Sequence, residues 1–263
     1  MTPTREELLK TAIYTGPHKV NSRSDNSNFV PTTSYLNLKK VFLKLKESKG
    51  NIVHVLGAPG TGKSTNIYQA LKKTGLETCE VSSTLPSINT SPSQVFKILI
   101  TDLKKNTGST TKKEAYLKLA EYDVVLFADK FHDPHLIQDN LIGFSLWTRN
   151  NTLWPIIFYL ICIKEYIQFH SEFQNMNLVF QTAWRLRLRG KKYDIFTQVG
   201  WLSRLLVKLL AYLFCVVEIS YTPAETINII KSHLKDIDRE KIDNAIHKFG
   251  CRPRLILEYL EPP

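Results

Sequence analysis

The sequence predicts an α/β fold: a parallel five-stranded sheet flanked by helices, followed by a small C-terminal helical lid. Three observations carry this prediction. Short apolar runs alternate with segments of helical period, the pattern of parallel strands joined by crossover helices. A glycine-rich turn separates the first run from the helix after it. Beyond residue 220 only helix signals remain.

The elements follow in order. Residues 1–33 are polar, with SRSDNSN at 22–28 and Pro31, and read as an arm that becomes ordered only on reaching the core. Ser34–Lys49 places Leu38, Val41, Phe42 and Leu45 at helical spacing, and Gly50 stops it. Asn51–Leu56 is the first strand. Ser64–Lys73 is a helix ended near Gly75, and Leu76–Val81 the second strand. Pro92 opens a helix to about Lys105, because proline tolerates the first turn, where its missing N–H is not needed. Thr111 and Glu114 have capping-box spacing and start a helix to Glu121. Asp123–Ala128 is the third strand, and residues 134–152 are irregular or partly helical. Pro155 lies in the first turn of a helix reaching Phe173, Leu178–Thr182 is the fourth strand, Trp201–Phe214 a buried helix and Cys215–Ser220 the fifth strand. Thr222-Pro223-Ala224-Glu225 combines a capping box with an early proline. Asp238 opens the next helix, Gly250 closes it, and Pro253–Leu260 forms the last. The expected division is an arm (1–33), a core (34–220) and a lid (221–263).

Composition narrows the class. Hydrophobic content of 43% and charged content of 22% are ordinary for a globular protein. The net charge of +11 is concentrated: residues 183–210 hold seven cations and one acid, Asp194. Cys79, Cys162, Cys215 and Cys251 have no C-x-x-C spacing, so neither a zinc ribbon nor a redox pair is indicated; they read as small buried apolar residues in a reducing compartment. The N-terminus lacks an apolar signal core. Gly200–Ser220 is long enough to span a bilayer but contains Arg204, Lys208 and Glu218. Each charge costs up to about 2.5–3.5 kcal/mol against about 0.3–0.6 gained per large apolar residue, so membrane insertion is not expected and a cytoplasmic location is.

The most specific motif is Gly57-Ala58-Pro59-Gly60-Thr61-Gly62-Lys63-Ser64, followed by Thr65. It fits G-x-x-x-x-G-K-[ST] and lies between a strand and a helix. Glycines let the chain curl so that successive N–H groups face phosphate oxygens, and the helix adds its positive end. Lys63 can reach the β- and γ-phosphates of a bound nucleotide, and Ser64 can ligate Mg²⁺. Asp129, an acid at the end of the third strand, is suited to hold the same ion or its water shell.

The loop, Asp129, the polar strand end Gln181-Thr182 and the tail YTPAETINIIKSHL…IDNAIHKFGCRPRLILEYL together resemble the AAA+ ATPases and the related archaeal STAND-type ATPases, over about residues 34–260. The resemblance implies Mg²⁺-ATP as ligand and slow hydrolysis that drives a conformational or regulatory output. It also implies a γ-phosphate sensor at Gln181 or Thr182 and a lid arginine at Arg254, with Arg252 as rival. Lys130 stands where these ATPases usually carry a glutamate. Asp133, and after it His132, are the remaining groups that could polarise water. With the sequence ending just after the lid, the winged helix of the archaeal replication initiators is not expected, which weakens that specific role. A switch that holds nucleotide without hydrolysing it, and a small-molecule kinase, are the alternatives.

Arg185, Arg187 and Arg189 alternate with leucines, and Lys191 and Lys192 follow. An extended segment would align the arginines on one face. That suits a charged sheet edge, nucleic-acid binding through residues 183–192, or an arginine finger in a homo-oligomer. Arg204, four residues before Lys208, is a second finger candidate. His132 and His135 could suggest a metal site, but Pro134 between them opposes the helical geometry a shared ion needs.

Overall fold

The computed structural model describes residues 28–81, 87, 89–128, 153–182, 185–188 and 191–260. Thr32 caps the first helix, α1 (Thr33–Leu45), through its side chain. The chain continues through β1 (Ile52–Leu56), α2 (Lys63–Thr74), β2 (Thr78–Val81), α3 (Pro92–Asn106), α4 (Lys112–Glu121) and β3 (Val125–Ala128). After the segment outside the description come α5 (Trp154–Gln168), α6 (His170–Phe173), β4 (Leu178–Gln181), β5 (Arg185–Leu188), β6 (Lys191–Asp194), α7 (Trp201–Leu213) and β7 (Cys215–Glu218). The lid helices are α8 (Pro223–His233), α9 (Arg239–Phe249) and α10 (Pro253–Leu260).

Five strands form one parallel sheet in the order β2-β3-β4-β1-β7. β4 therefore lies between the strand that enters the glycine-rich turn and the strand that leads to Asp129. The register sets Val55 beside Gln181 and Ala128 beside Phe180, so three strand ends meet at one edge. Both sheet faces are covered. Val53, Val55, Phe127, Val179 and Val217 pack under α1 and α2, while Leu126, Leu178 and Cys79 pack against α3, α4 and α5. This double burial is why the central strands β1, β3 and β4 read as near-continuous apolar runs. The lid has its own small core of Ile230, Ile242, Ala245 and Ile256.

Several elements differ from the sequence reading. α1 ends at Leu45 rather than Lys49, because Asn177 Nδ2 donates to the carbonyls of Leu45 (2.8 Å) and Ser48 (2.9 Å) and draws the chain out of the helix. The single helix expected from Pro155 to Phe173 breaks at Phe169, whose backbone leaves helical values (φ −116°, ψ 34°) while its ring is buried. Residues 185–188 and 191–194 of the basic tract pair as an antiparallel two-stranded ribbon separate from the main sheet, with Arg185 opposite Asp194 and Arg187 opposite Lys192. The largest correction concerns α7. It is not a buried helix: Trp201 is 74% and Tyr212 86% exposed, Leu205, Leu209 and Leu213 are exposed too, and Ser203 alone is buried. Of the cysteines, Cys79 is buried and the other three are half-buried. Among the described residues no helix is long and apolar enough to cross a membrane.

Candidate functional site

The turn after β1 folds on itself through Thr61, whose N–H (3.2 Å) and Oγ1 (2.8 Å) both donate to Ala58 O. Gly57 is required by close approach: a Cβ there would lie 2.8 Å from Ile219 O and 2.9 Å from Thr61 Oγ1. Lys63, the first residue of α2, is buried, and its Nζ donates to Gly57 O (2.7 Å) and Ala58 O (3.3 Å). The ammonium thus sits across the mouth of the loop, held by the carbonyls of the loop's own first residues. Ser64 Oγ donates to Gln181 Oε1 at 2.9 Å, which ties the helix start to the end of β4. Ser64 Oγ is a hard oxygen donor of the type Mg²⁺ takes, while among the described residues no group of three His, Cys, Asp or Glu could hold a metal ion.

Gln181 and Thr182 separate cleanly. Successive strand residues face opposite sides. Gln181 meets Ser64, whereas Thr182 Oγ1 is hydrogen-bonded to His54 Nδ1 at 2.9 Å inside the core. His54 stacks on Phe180 and touches Phe214, and burial pushes its pKa down to about 4. It is therefore neutral near pH 7 and adds no charge beneath the loop.

The lid reaches the loop directly. Arg254 N donates to Gly60 O at 3.1 Å. Gly60 has φ +90°, and a Cβ there would lie 3.0 Å from Leu255 Cγ. The Arg254 guanidinium is paired with Glu258 (Nε to Oε1, 2.8 Å), and Arg252 Nε donates to Phe249 O. Tyr221, between β7 and α8, donates its hydroxyl to Thr61 O (2.7 Å) and accepts from Asn66 Nδ2 (2.7 Å). On the far side, the capping residue Glu225 accepts from Thr33 N (2.9 Å), and Ser34 Oγ donates to Ser220 O (2.6 Å). The start of α1 is thereby attached where the lid begins.

The structure brings together Gly57–Thr65, Gln181 and the backbone of Arg254. Asp129, Lys130, His132, Asp133 and Arg189 lie outside the described residues; β3 ends one residue before Asp129. Arg185 and Arg187 lie on the ribbon, and Arg204 on the exposed helix α7. Sequence reasoning missed Tyr221, Asn66 and His54. Nothing in the local pattern marks them, because their partners are about 128 to 160 residues away or are main-chain atoms.

Residues 19–137 match the family described as the P-loop containing dynein motor region. No curated protein sequence matches the chain. Similar solved structures include AMPPCP-bound DnaA from Aquifex aeolicus (TM-score 0.45, 17% identity, 92% of this chain and 64% of that chain). Others are the replication initiator DnaA bound to AMPPCP and single-stranded DNA (0.44, 17%, 89% and 64%) and a DNA replication initiation factor (0.42, 18%, 89% and 63%). The chain thus spans less than two thirds of the length of these structures.

Proposed function

We propose that this chain, an AAA+ P-loop NTPase by its phosphate loop, its sheet and its family match, binds Mg²⁺-ATP at Gly57–Thr65 and converts the occupied state into a lid movement. The observation that carries the reading is the seat of α10 on the loop. Arg254 N bonds Gly60 O, and Leu255 packs where a Gly60 side chain would stand, so a ligand that reshapes the loop acts directly on the lid. The moving parts are the core (34–220) and the lid (221–263).

In this reading loop amides and Lys63 bind the phosphates. Ser64 and Asp129 hold Mg²⁺, which neutralises phosphate charge when bound. Gln181, already against Ser64, is placed to orient water or contact the γ-phosphate. Arg254 reports the γ-phosphate once its guanidinium leaves Glu258. Asp133, or His132, polarises water in place of the residue that Lys130 replaces, which makes hydrolysis slow. A nucleic-acid role for the 183–192 tract rests on its alternating arginines and following lysines. A single-turnover assay with Mg²⁺-ATP tests the step: slow phosphate release that Lys63→Ala abolishes is expected. Tight binding with no release over hours refutes hydrolysis and leaves the switch.

A specific observation also favours self-assembly. Arg204 is exposed on α7 beside the exposed Trp201, Leu205 and Leu209, an arrangement suited to a contact with a second copy that carries an arginine toward the neighbour's nucleotide.

A further inference from the structure

The phosphate loop is fastened to the lid at two points: to the tip through Arg254 N, and to the root through Tyr221. We propose that Tyr221 is a positioning residue that sets the orientation of the Thr61–Gly62 peptide and couples it to the lid, so that lid angle and phosphate-loop geometry change together. The proposal rests on the nucleotide reading above and names the part through which that switch acts.

The physical basis is the planarity of the peptide bond. In a trans peptide the carbonyl and the next N–H point in opposite directions. Tyr221 Oη donates to Thr61 O at 2.7 Å, so it turns the Gly62 N–H away from the lid root, toward the side where the loop binds phosphate. Asn66 Nδ2 fixes the hydroxyl from behind: it donates to Tyr221 Oη at 2.7 Å and to Gly62 O at 2.9 Å. Asn66 is buried and its Oδ1 has no partner among the described residues, so the amide is held by its nitrogen alone. Burial pushes the Tyr221 pKa up to about 12, and the hydroxyl remains a donor throughout the neutral range.

The position of Tyr221 in the chain matters as much as its bonds. Ile219 N donates to Leu56 O at 2.8 Å, which anchors the end of β7 to β1. Thr222, the next residue after Tyr221, caps α8 in a complete capping box with Glu225. Tyr221 is therefore the joint between a fixed strand and a rigid helix, and a rotation of α8 must carry its ring. Displacing the hydroxyl releases the Thr61 carbonyl, and with it the Gly62 amide.

Tyr221→Phe keeps the ring and removes the hydroxyl. In nucleotide-free protein, hydrogen exchange across 58–63 and across α8–α10 is expected to rise together by about tenfold, the usual worth of one lost hydrogen bond, with β1, β3 and β4 unchanged. Asn66→Ala gives the same pattern, and the double variant exceeds neither single by more than about twofold. The wild type binds AMPPCP about tenfold more tightly than Tyr221→Phe, and AMPPCP protects the lid in the wild type only. If Tyr221→Phe loosens the loop or the lid but not both, or if the two substitutions multiply, the coupling is refuted. Equal AMPPCP affinity with equal lid protection in wild type and variant also refutes it, and leaves nucleotide binding intact. If neither protein binds AMPPCP while the exchange pattern appears as expected, the coupling stands and the nucleotide reading falls.

Discussion

Gly60→Ala tests the contact between lid and loop with a single methyl group. Gly60 has φ +90°, a conformation that costs an L-residue about 1–2 kcal/mol. The new Cβ would stand 3.0 Å from Leu255 Cγ, and Leu255 must yield by a few tenths of an ångström. A modest overpacking of this kind adds about 1 kcal/mol, so the expected loss is about 2–3 kcal/mol in all. The two parts separate in a double-mutant cycle. Leu255→Ala removes the clash but leaves the backbone strain, so Gly60→Ala should cost about 1 kcal/mol less on a Leu255→Ala background. Urea unfolding of the four proteins gives the coupling energy. Additivity within about 0.3 kcal/mol would mean that Leu255 does not bear on the loop, and the lid-seat reasoning would be wrong.

Three further outcomes follow from the packing. His54 has a folded pKa near 4 against an unfolded value near 6.5, so the unfolded chain binds the extra proton first. Stability should fall as pH drops from 6.5 toward 4, by roughly 3 kcal/mol at the limit, and His54→Asn should flatten that slope in urea titrations across the range; an unchanged slope refutes the assignment. Glu165 accepts from Lys112 Nζ (2.7 Å) and from the buried Tyr116 hydroxyl (3.0 Å), so Glu165→Ala should cost about 2–4 kcal/mol and Glu165→Gln less than half as much; equal losses would show that the acceptor is unimportant. Leu205→Asp with Leu209→Asp should abolish any ATP-dependent rise in mass seen by sedimentation while leaving the monomer's nucleotide affinity unchanged, and assembly that persists removes α7 from the contact.

The fold was legible because its signals are local. The central strands β1, β3 and β4 are largely apolar runs buried on both faces, and the caps at Thr111, Thr222 and Asp238 are all formed by the side chains of those residues. The loop was legible for the same reason, since its glycines and Lys63 act on neighbouring main chain. What escaped the sequence depends on distant partners. Asn177 ends α1 from about 130 residues away, and Tyr221 meets the loop from 160. Which of Gln181 and Thr182 meets Ser64 depends on the register of β4 against β1, which no single strand encodes. α7 misled because apolar composition is a poor guide to burial when a helix presents its apolar face to solvent or to another molecule.

The central claim is that the Gly57–Thr65 loop binds a triphosphate with Lys63 across its mouth. Calorimetric titration of Mg²⁺-ATP into the wild type and into Lys63→Ala tests it most directly. The account predicts saturable binding at one site in the wild type and at least about tenfold weaker binding in the variant, the loss of one or more charge-assisted hydrogen bonds. Equal affinity in the two proteins, or no binding to the wild type, would contradict it.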